Sequence, residues 1–548
     1  MPEYLNLAGR TIEEYSPDGL SKVRILDLGF EYAYCLEPAK LEPEEQAKLD
    51  EVMERLAYRI KPKGLLNPEE LEKTLKSWGL SDKVVYVVKA EVVGYSWLEP
   101  LMHDEKLEDI QCFKANTCIK VTHRDYGLMR TNIVPNEDEV DRMVKLLAYR
   151  GGSAVSVYRA KEDSVILPTG DRAALTFRSE ISPTSSFTIR KFPRHPWTPA
   201  RILSTGMLTH EAMAFLWLCI DAKLPIVIFG PMGSGKTSLA NALAMLIRPG
   251  ASIAICQDAP EMRVPHENVL DLYERKSRTA GSGGEVTLED LLAHALRRSV
   301  DYVTINEVRS RREVYAFAQA VALGHGGITS IHAESVEAVF ARLKGYNVEE
   351  PLAENIKILV GTGLFIGERN GKRVRLRRVK GIYFVEKLES YKPRYNVVFK
   401  YDPAEDSLEA RYSDAVLSYL AEKLYLESEV DLLKHELRLR AEFLELASRA
   451  KLYEAERLFT ALKEFRRNPE EVLKQLRAFF AKKPTPVSRA VIVADMSDIK
   501  YCPHCGAQLP PKVMNCPRCG FRFYSSLEEE LRRILSSEGS EVSESEVH

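Results

Sequence analysis

Residues 230–237 read Gly-Pro-Met-Gly-Ser-Gly-Lys-Thr and match the pattern G-x-x-x-x-G-K-[ST] at every fixed position. Glycines at this spacing let successive backbone N–H groups, and the start of a helix, converge on one anion. Gly230, Pro231, Met232, Gly233, Ser234, Gly235 and Ser238 are therefore expected to wrap a phosphate chain. Lys236 is expected to reach the β- and γ-phosphates, and the Thr237 hydroxyl to ligate Mg²⁺. The flanks agree: the apolar run Leu224 to Phe229 leads in as a buried strand, and Ser238 to Leu246 leads out with helical periodicity. A glycine-rich turn that merely matches would not need both. The chemistry implied is the binding of a nucleoside triphosphate.

Three later segments end an apolar strand in polar residues. Ser252 to Cys256 runs into Gln257-Asp258-Ala259-Pro260-Glu261, which places carboxylates at the C-terminal edge of a sheet, where ligands of α/β proteins sit. Asp258 is a candidate for the nucleotide site and Glu261 a candidate base. Asp301 to Arg309 repeats the pattern and ends Asn306-Glu307-Val308-Arg309, the form of a Walker B strand. Glu307 is suited to organise Mg²⁺ through water or to polarise an attacking water, with Arg309 beside it. Gly324 to Ala333 sets His325 and His332 around a short strand. A lone buried histidine is usually structural, but in this company a histidine near a γ-phosphate would sense it. Near the end, Cys502-Pro503-His504-Cys505 and Cys516-Pro517-Arg518-Cys519 form C-x2-C, ten residues, C-x2-C. That spacing suits four thiolates around one structural Zn²⁺, in a piece too small to fold on a hydrophobic core. A redox dithiol pair or an iron–sulfur site is the alternative.

The rest of the chain must position these groups. With 548 residues, 45% hydrophobic and 28% charged, it is expected to hold three or more domains. A net charge of −2 offers no basic field for nucleic acid. No apolar run reaches the roughly 18 residues of a membrane span, and Met1-Pro2-Glu3-Tyr4 lacks the basic and apolar regions of a signal peptide. Residues 1–80 are expected to be an accessory region with helices over Glu42 to Ile60 and Pro68 to Trp78. Residues 81–195 read as a small α+β domain, with strands such as Val84 to Val88 and Ile119 to Thr122 and a helix from Glu137 to Arg150. A proline-rich hinge follows at Phe192 to Pro199, and residues 200–405 then alternate strand and helix as a parallel sheet does. Residues 410–482 read as an antiparallel helical appendage with solvated charges, 498–524 as the zinc ribbon and 525–548 as an acidic, disordered tail. The other five cysteines are scattered, as in a reducing cytoplasm.

In their order, these four segments resemble the Walker A, Asp box, Walker B and His box of the secretion ATPases of the type II secretion, type IV pilus and type IV secretion superfamily. Tyr95 to Asp104, Arg130-Thr131-Asn132, Leu167 to Arg172 and Phe187 to Phe192 look like the N-terminal domain of its archaeal branch, as does the tail through Arg467-Asn468-Pro469-Glu470-Glu471. The resemblance spans residues 80–475. It implies an ATPase with a RecA-like P-loop domain, ATP and Mg²⁺ as cofactors, and a cytoplasmic homo-hexamer at the inner face of the membrane. Hydrolysis would drive one domain against the other and push on an integral-membrane platform protein that assembles pilin-like subunits or an archaellum. It also implies arginines of the N-terminal domain that reach the phosphates as arginine fingers, Arg190 first and Arg172 second. The alternative for each is an inter-strand ion pair.

Three positions depart from the family pattern: Gln257 where Glu is usual, Asn306 where Gly is usual, and Ser299-Val300 where Arg-Pro is usual. A glutamine accepts no proton from water, so the base role passes to Glu261 or Glu307. Asn306 would add a side chain beside the phosphates. Two other functions stay open at this point, a nucleotide-binding scaffold with weak or no hydrolysis and a P-loop ATPase that translocates nucleic acid.

Overall fold

A computed structural model describes residues 2–59, 67–178, 181–275, 284–369, 372–426 and 429–481. The four-cysteine module and the acidic tail lie outside the described residues. The chain forms two compact units, one of residues up to Arg194 with Ala259–Glu261 and Leu364–Leu376, the other of His195–Asp258, Met262–Gly363 and the chain from Arg377. Among the described residues no helix is long and apolar enough to cross a membrane.

The first unit is built on a nine-stranded sheet. Its order runs from Arg10–Tyr15, Lys22–Asp27 and Tyr32–Glu37 through Gly127–Thr131, Lys120–His123 and Leu107–Cys112 to Ser186–Arg190, Arg172–Thr176 and Lys161–Ile166. Residues 10–37 thus contribute three strands to the sheet that residues 107–190 complete, with Ala33 opposite Arg130 in a parallel pair. The expected accessory region ending at residue 80 is corrected accordingly: its first half is sheet and shares a core with the α+β part. Alternation explains the pairing, since Val23, Ile25, Tyr34 and Leu36 point into the same cluster as Ile110, Val121 and Ile189. The helix Glu137–Arg150 starts where expected because Asn136 and Glu139 form a capping box.

Val84 to Val88, expected as a strand, lies instead in the helix Asp82–Val92, whose first turn is capped by the Ser81 hydroxyl. Valine favours strands by itself, but Val84 and Val88 stand one turn apart and bury against Leu71, Leu75, Val52 and Leu56. Packing on neighbouring helices outweighs the local preference.

The second unit carries another nine-stranded sheet. Six strands lie side by side in the order Val269–Tyr273, Ile253–Gln257, Tyr302–Ile305, Gly326–Ile331, Ile226–Phe229 and Ile358–Arg369, every adjacent pair parallel. Lys372–Glu389, Lys392–Asp402 and Ser407–Ala410 continue it, the last two pairings antiparallel. The central strands are buried on both faces, as parallel strands covered by helices must be. Ile226, Ile228, Ile253 and Ile255 face the helices His210–Asp221 and Lys236–Met245, while Val227, Phe229, Ala254 and Cys256 face Leu288–Leu296, Arg311–Ala322 and Val336–Gly345.

The helices of residues 414–481 are no appendage. They enclose the first of these faces: the ring of Trp217, fully buried, packs tilted against Phe443 at 6.1 Å and Phe465 at 5.6 Å between centroids. Arg466 closes the contact on Asp221 at 2.8 Å. Each such aromatic contributes about 2–3 kcal/mol by leaving water, so the apolar stripe, and not the charged face, decides where this segment goes.

Candidate functional site

The loop Gly230–Gly235 links the strand Ile226–Phe229 to the helix Lys236–Met245. Gly233 and Gly235 have φ of 73° and 89°, a region that disfavours side chains, and a Cβ on Gly230 would come within 2.3 Å of Thr362 Oγ1. The helix opens on Gly235, with no side-chain cap for its first N–H groups. Those donors, of Lys236, Thr237 and Ser238, belong to the first turn, whose N–H groups have no partner within the helix. Ser234 is buried and ties the loop down through Pro231 O at 2.8 Å and Thr362 Oγ1 at 2.7 Å. Met232 at the apex is 67% exposed.

Lys236 is only 7% exposed. Its Nζ donates to the carbonyls of Gly230 at 3.2 Å and Pro231 at 3.0 Å and stands 3.4 Å from His332 Nδ1. Burial holds its ammonium below the usual lysine range; Glu307 opposes that shift and Arg309 adds to it. An ammonium resting on its own loop's carbonyls is set to exchange them for phosphate oxygens.

From Lys236 a line of charged and polar groups runs along the C-terminal edge of the parallel strands. His332 Nε2 lies 2.7 Å from Glu307 Oε1, close though out of line for a hydrogen bond. With Lys236 as donor, Nδ1 accepts and the ring proton sits on Nε2, facing the carboxylate. Glu307 Oε2 in turn receives Arg309 Nε at 2.8 Å and Nη2 at 2.6 Å, and Arg309 Nη1 reaches Asp258 Oδ2 at 3.0 Å. Against the cost of its burial, these two carboxylates hold the Arg309 guanidinium above its usual range. The strand direction explains the grouping: Asp258, Glu307 and His332 each follow a parallel strand that ends at the same edge as the phosphate loop.

Other expected site residues lie elsewhere. His325 precedes the strand Gly326–Ile331, so a strand about 20 Å long separates it from His332. Its Nδ1 meets Val300 O at 2.7 Å at the opposite edge, which corrects its expected place beside the phosphates. Glu261 falls in the Ala259–Glu261 segment of the first unit and is not part of the line through Glu307. Arg172 and Arg190 also belong to the first unit, where they are direct cross-strand partners, and Arg190 Nε lies 3.4 Å from Asp109. Cys502, Cys505, Cys516 and Cys519 lie outside the described residues. Among the described residues no group of three or more His, Cys, Asp or Glu is arranged to hold a metal.

One departure from the family pattern acquires a physical reason. Gln257 is 0% exposed and clamps its own loop, accepting from Met262 N at 2.9 Å and donating to Met262 O at 3.1 Å. A glutamate there could not donate. Asn306 is buried; its backbone carbonyl accepts the Ser330 hydroxyl at 2.8 Å, as any residue's would, and its side-chain Oδ1 is buried without a hydrogen-bond partner. Sequence reasoning missed Thr362 and Arg377. Thr362 follows the apolar run Ile358-Leu359-Val360-Gly361 within the strand Ile358–Arg369, the same apolar-then-polar signal that marks Glu307. Arg377, whose Nε donates to Gly233 O at 2.8 Å, is one of many cations in Lys372 to Arg378 and carries no local signal.

Residues 101–361 match the family model described as "Type II/IV secretion system protein". The uncharacterized protein MJ1287 of Methanocaldococcus jannaschii is 33% identical over 259 residues, 45% of this chain and 90% of that protein. MJ0900 of the same organism, also uncharacterized, is 34% identical over 332 residues, 59% of this chain, which spans 58% of MJ0900. Among solved structures, the Legionella pneumophila ATPase DotB aligns with 68% of this chain and 92% of its own at 17% identity, with a TM-score of 0.38. The segment that matches the model contains the phosphate loop and every member of the charged line, and the chain belongs to the type II/IV secretion system protein family.

Proposed function

We propose that the chain is an ATP-hydrolysing motor subunit of a secretion or pilus-assembly machine. One observation carries the proposal: an uncapped helix beneath a three-glycine loop, with Lys236 held on the loop's carbonyls and joined through His332 to Glu307. The cradle fits a triphosphate, since a Cβ on Gly230 would collide with Thr362 and orphan N–H groups line the floor. The Thr237 hydroxyl, half-exposed in the first turn, would hold Mg²⁺, which would supply positive charge against the phosphates. Glu307 takes the proton of the attacking water, His332 orients it, and Arg309 and Asp258 keep the carboxylate in place. Gln257 acts as a loop clamp, so its lack of basicity does not argue against turnover.

Arg190 and Arg172 are assigned the role of phosphate-reaching arginines. The motor works as a homo-hexamer at the inner face of the membrane and pushes a platform protein that assembles pilin-like subunits. Cys502, Cys505, Cys516 and Cys519 hold one structural zinc; metal analysis of the purified chain should find one per chain, lost on Cys502→Ser with Cys516→Ser. The central test is Mg²⁺-dependent ATP turnover of the purified chain, with its mass in solution. Turnover in a six-chain particle, lost by at least about 100-fold in Lys236→Ala, supports the motor. Tight nucleotide binding without turnover in an assembled ring would replace it with the scaffold.

A further inference from the structure

Arg377 stands on the strand Lys372–Glu389, 144 residues beyond the loop it touches. Its Nε donates to the Gly233 carbonyl at 2.8 Å, and a Cβ on Gly235 would lie 3.5 Å from its Cδ. The side chain therefore runs along the loop apex. At the apex nothing stands within 4 Å of where a Gly233 Cβ would be, and its φ of 73° is one that a side chain disfavours.

A trans peptide is planar, and its C=O and N–H point to opposite sides. Fixing the Gly233 carbonyl on Arg377 therefore fixes the Ser234 N–H on the inner side of the loop. There the N–H faces Pro231 O at 3.4 Å, a long contact, and Lys236 Nζ reaches the same carbonyl at 3.0 Å. Two donors of the kind that seek phosphate thus converge on one point, and one of them is aimed by Arg377.

We propose that Arg377 is a positioning residue for nucleotide: it holds the Gly233–Ser234 peptide so that the Ser234 N–H faces the phosphate chain. It acts through the loop backbone and does not itself touch phosphate. The inference rests on the assignment of residues 230–237 as a triphosphate site. An apex amide serves the phosphates that ADP and ATP share, so its misalignment weakens both by one factor. A guanidinium on the γ-phosphate would weaken ATP alone.

The test is equilibrium titration of the full chain, with Mg²⁺, using fluorescent ADP and a fluorescent non-hydrolysable ATP analogue. Arg377→Met should weaken both by about tenfold, the loss of one charge-assisted hydrogen bond, with the nucleotide-free melting temperature unchanged. Arg377→Lys, which keeps a donor, should recover part of the affinity for both. Unchanged ADP affinity in Arg377→Met, whether or not ATP weakens, overturns the inference while Lys236→Ala still abolishes wild-type binding. A folded wild-type chain that binds neither nucleotide overturns the triphosphate site and this inference with it. If Arg377→Met does not fold, the same comparison in Arg377→Lys decides: no loss for ADP overturns it.

Discussion

At the C-terminal ends of the parallel strands, Asp258, Arg309, Glu307, His332 and Lys236 form an unbroken line. At the N-terminal ends of the same strands, Asp301 gathers Lys223 at 3.0 Å, Arg248 at 3.2 Å and both the N–H and hydroxyl of Ser252, while His325 rests on Val300. The residue types are nearly the same, and both edges mix acids with bases, so charge alone does not tell a site from a staple. The backbone does. At the Asp301 edge the carboxylate is satisfied by protein donors and joins the ends of neighbouring strands. At the other edge a three-glycine loop leads into a helix with no side-chain cap on its first N–H groups, and the Lys236 ammonium rests on the loop's own carbonyls. The difference teaches that strand direction selects which polar residues can meet a ligand.

Substitution at each edge sharpens this contrast. The largest effect is expected from Glu307→Gln, which keeps the shape of the side chain and removes its basicity. ATP turnover should fall by at least about 100-fold, with nucleotide affinity and melting temperature close to wild type. A fall below tenfold would move the base role away from Glu307. Next comes Gln257→Glu. Its carboxylate still accepts from Met262 N but faces Met262 O without a proton to donate, at a fully buried position. Chemical denaturation should show a loss of about 2 kcal/mol, with turnover reduced several-fold as Asp258 shifts. Improved turnover in this variant would mean that a base belongs at 257 after all.

How much of this was legible in the sequence depends on the range over which each signal acts. The phosphate loop and the capped helix Glu137–Arg150 are local patterns, and both stand where they were read. The grouping of Asp258, Glu307, Arg309 and His332 was legible too, because a strand followed by a polar residue is a local signal that parallel pairing repeats at one edge. Thr362 carried the same signal and was passed over. Val84 to Val88 misled because its helix is chosen by Leu71 and Leu75 on another helix, not by its own residues. The burial of Trp217 beneath Phe443 and Phe465 joins segments more than 200 residues apart, beyond any periodicity. His325 was misplaced for a simpler reason. It was read near the γ-phosphate for the company it keeps, yet a Cβ at Gly326 would lie 2.3 Å from the Tyr302 ring and one at Gly327 would lie 2.8 Å from Phe317. These glycines exist for close packing within the strand.

Smaller effects belong to the staple edge. Burial alone would raise the Asp301 carboxyl, but Ser252 and Lys223 outweigh it and hold the group well below the usual carboxylate range. Its folded value is thus below its unfolded one, so its contribution is complete above about pH 4 and fades as pH falls through that value and below. Asp301→Asn should cost about 1 kcal/mol at pH 7, after screening of a partly exposed group, and the gap to wild type should shrink between about pH 5 and pH 3. Turnover at pH 7 should not change.

The smallest effect is expected at His325. Its Nδ1 contact to Val300 O is one hydrogen bond at a half-exposed edge, a strand's length from Lys236. His325→Ala should leave ATP turnover within about twofold of wild type and cost under about 1 kcal/mol of stability, whereas His332→Ala should lower turnover by about tenfold or more. Measured side by side, the pair separates two histidines that one motif had joined. Equal losses at both positions would mean that the two edges communicate through the strand Gly326–Ile331, and the division between site and staple would have to be redrawn.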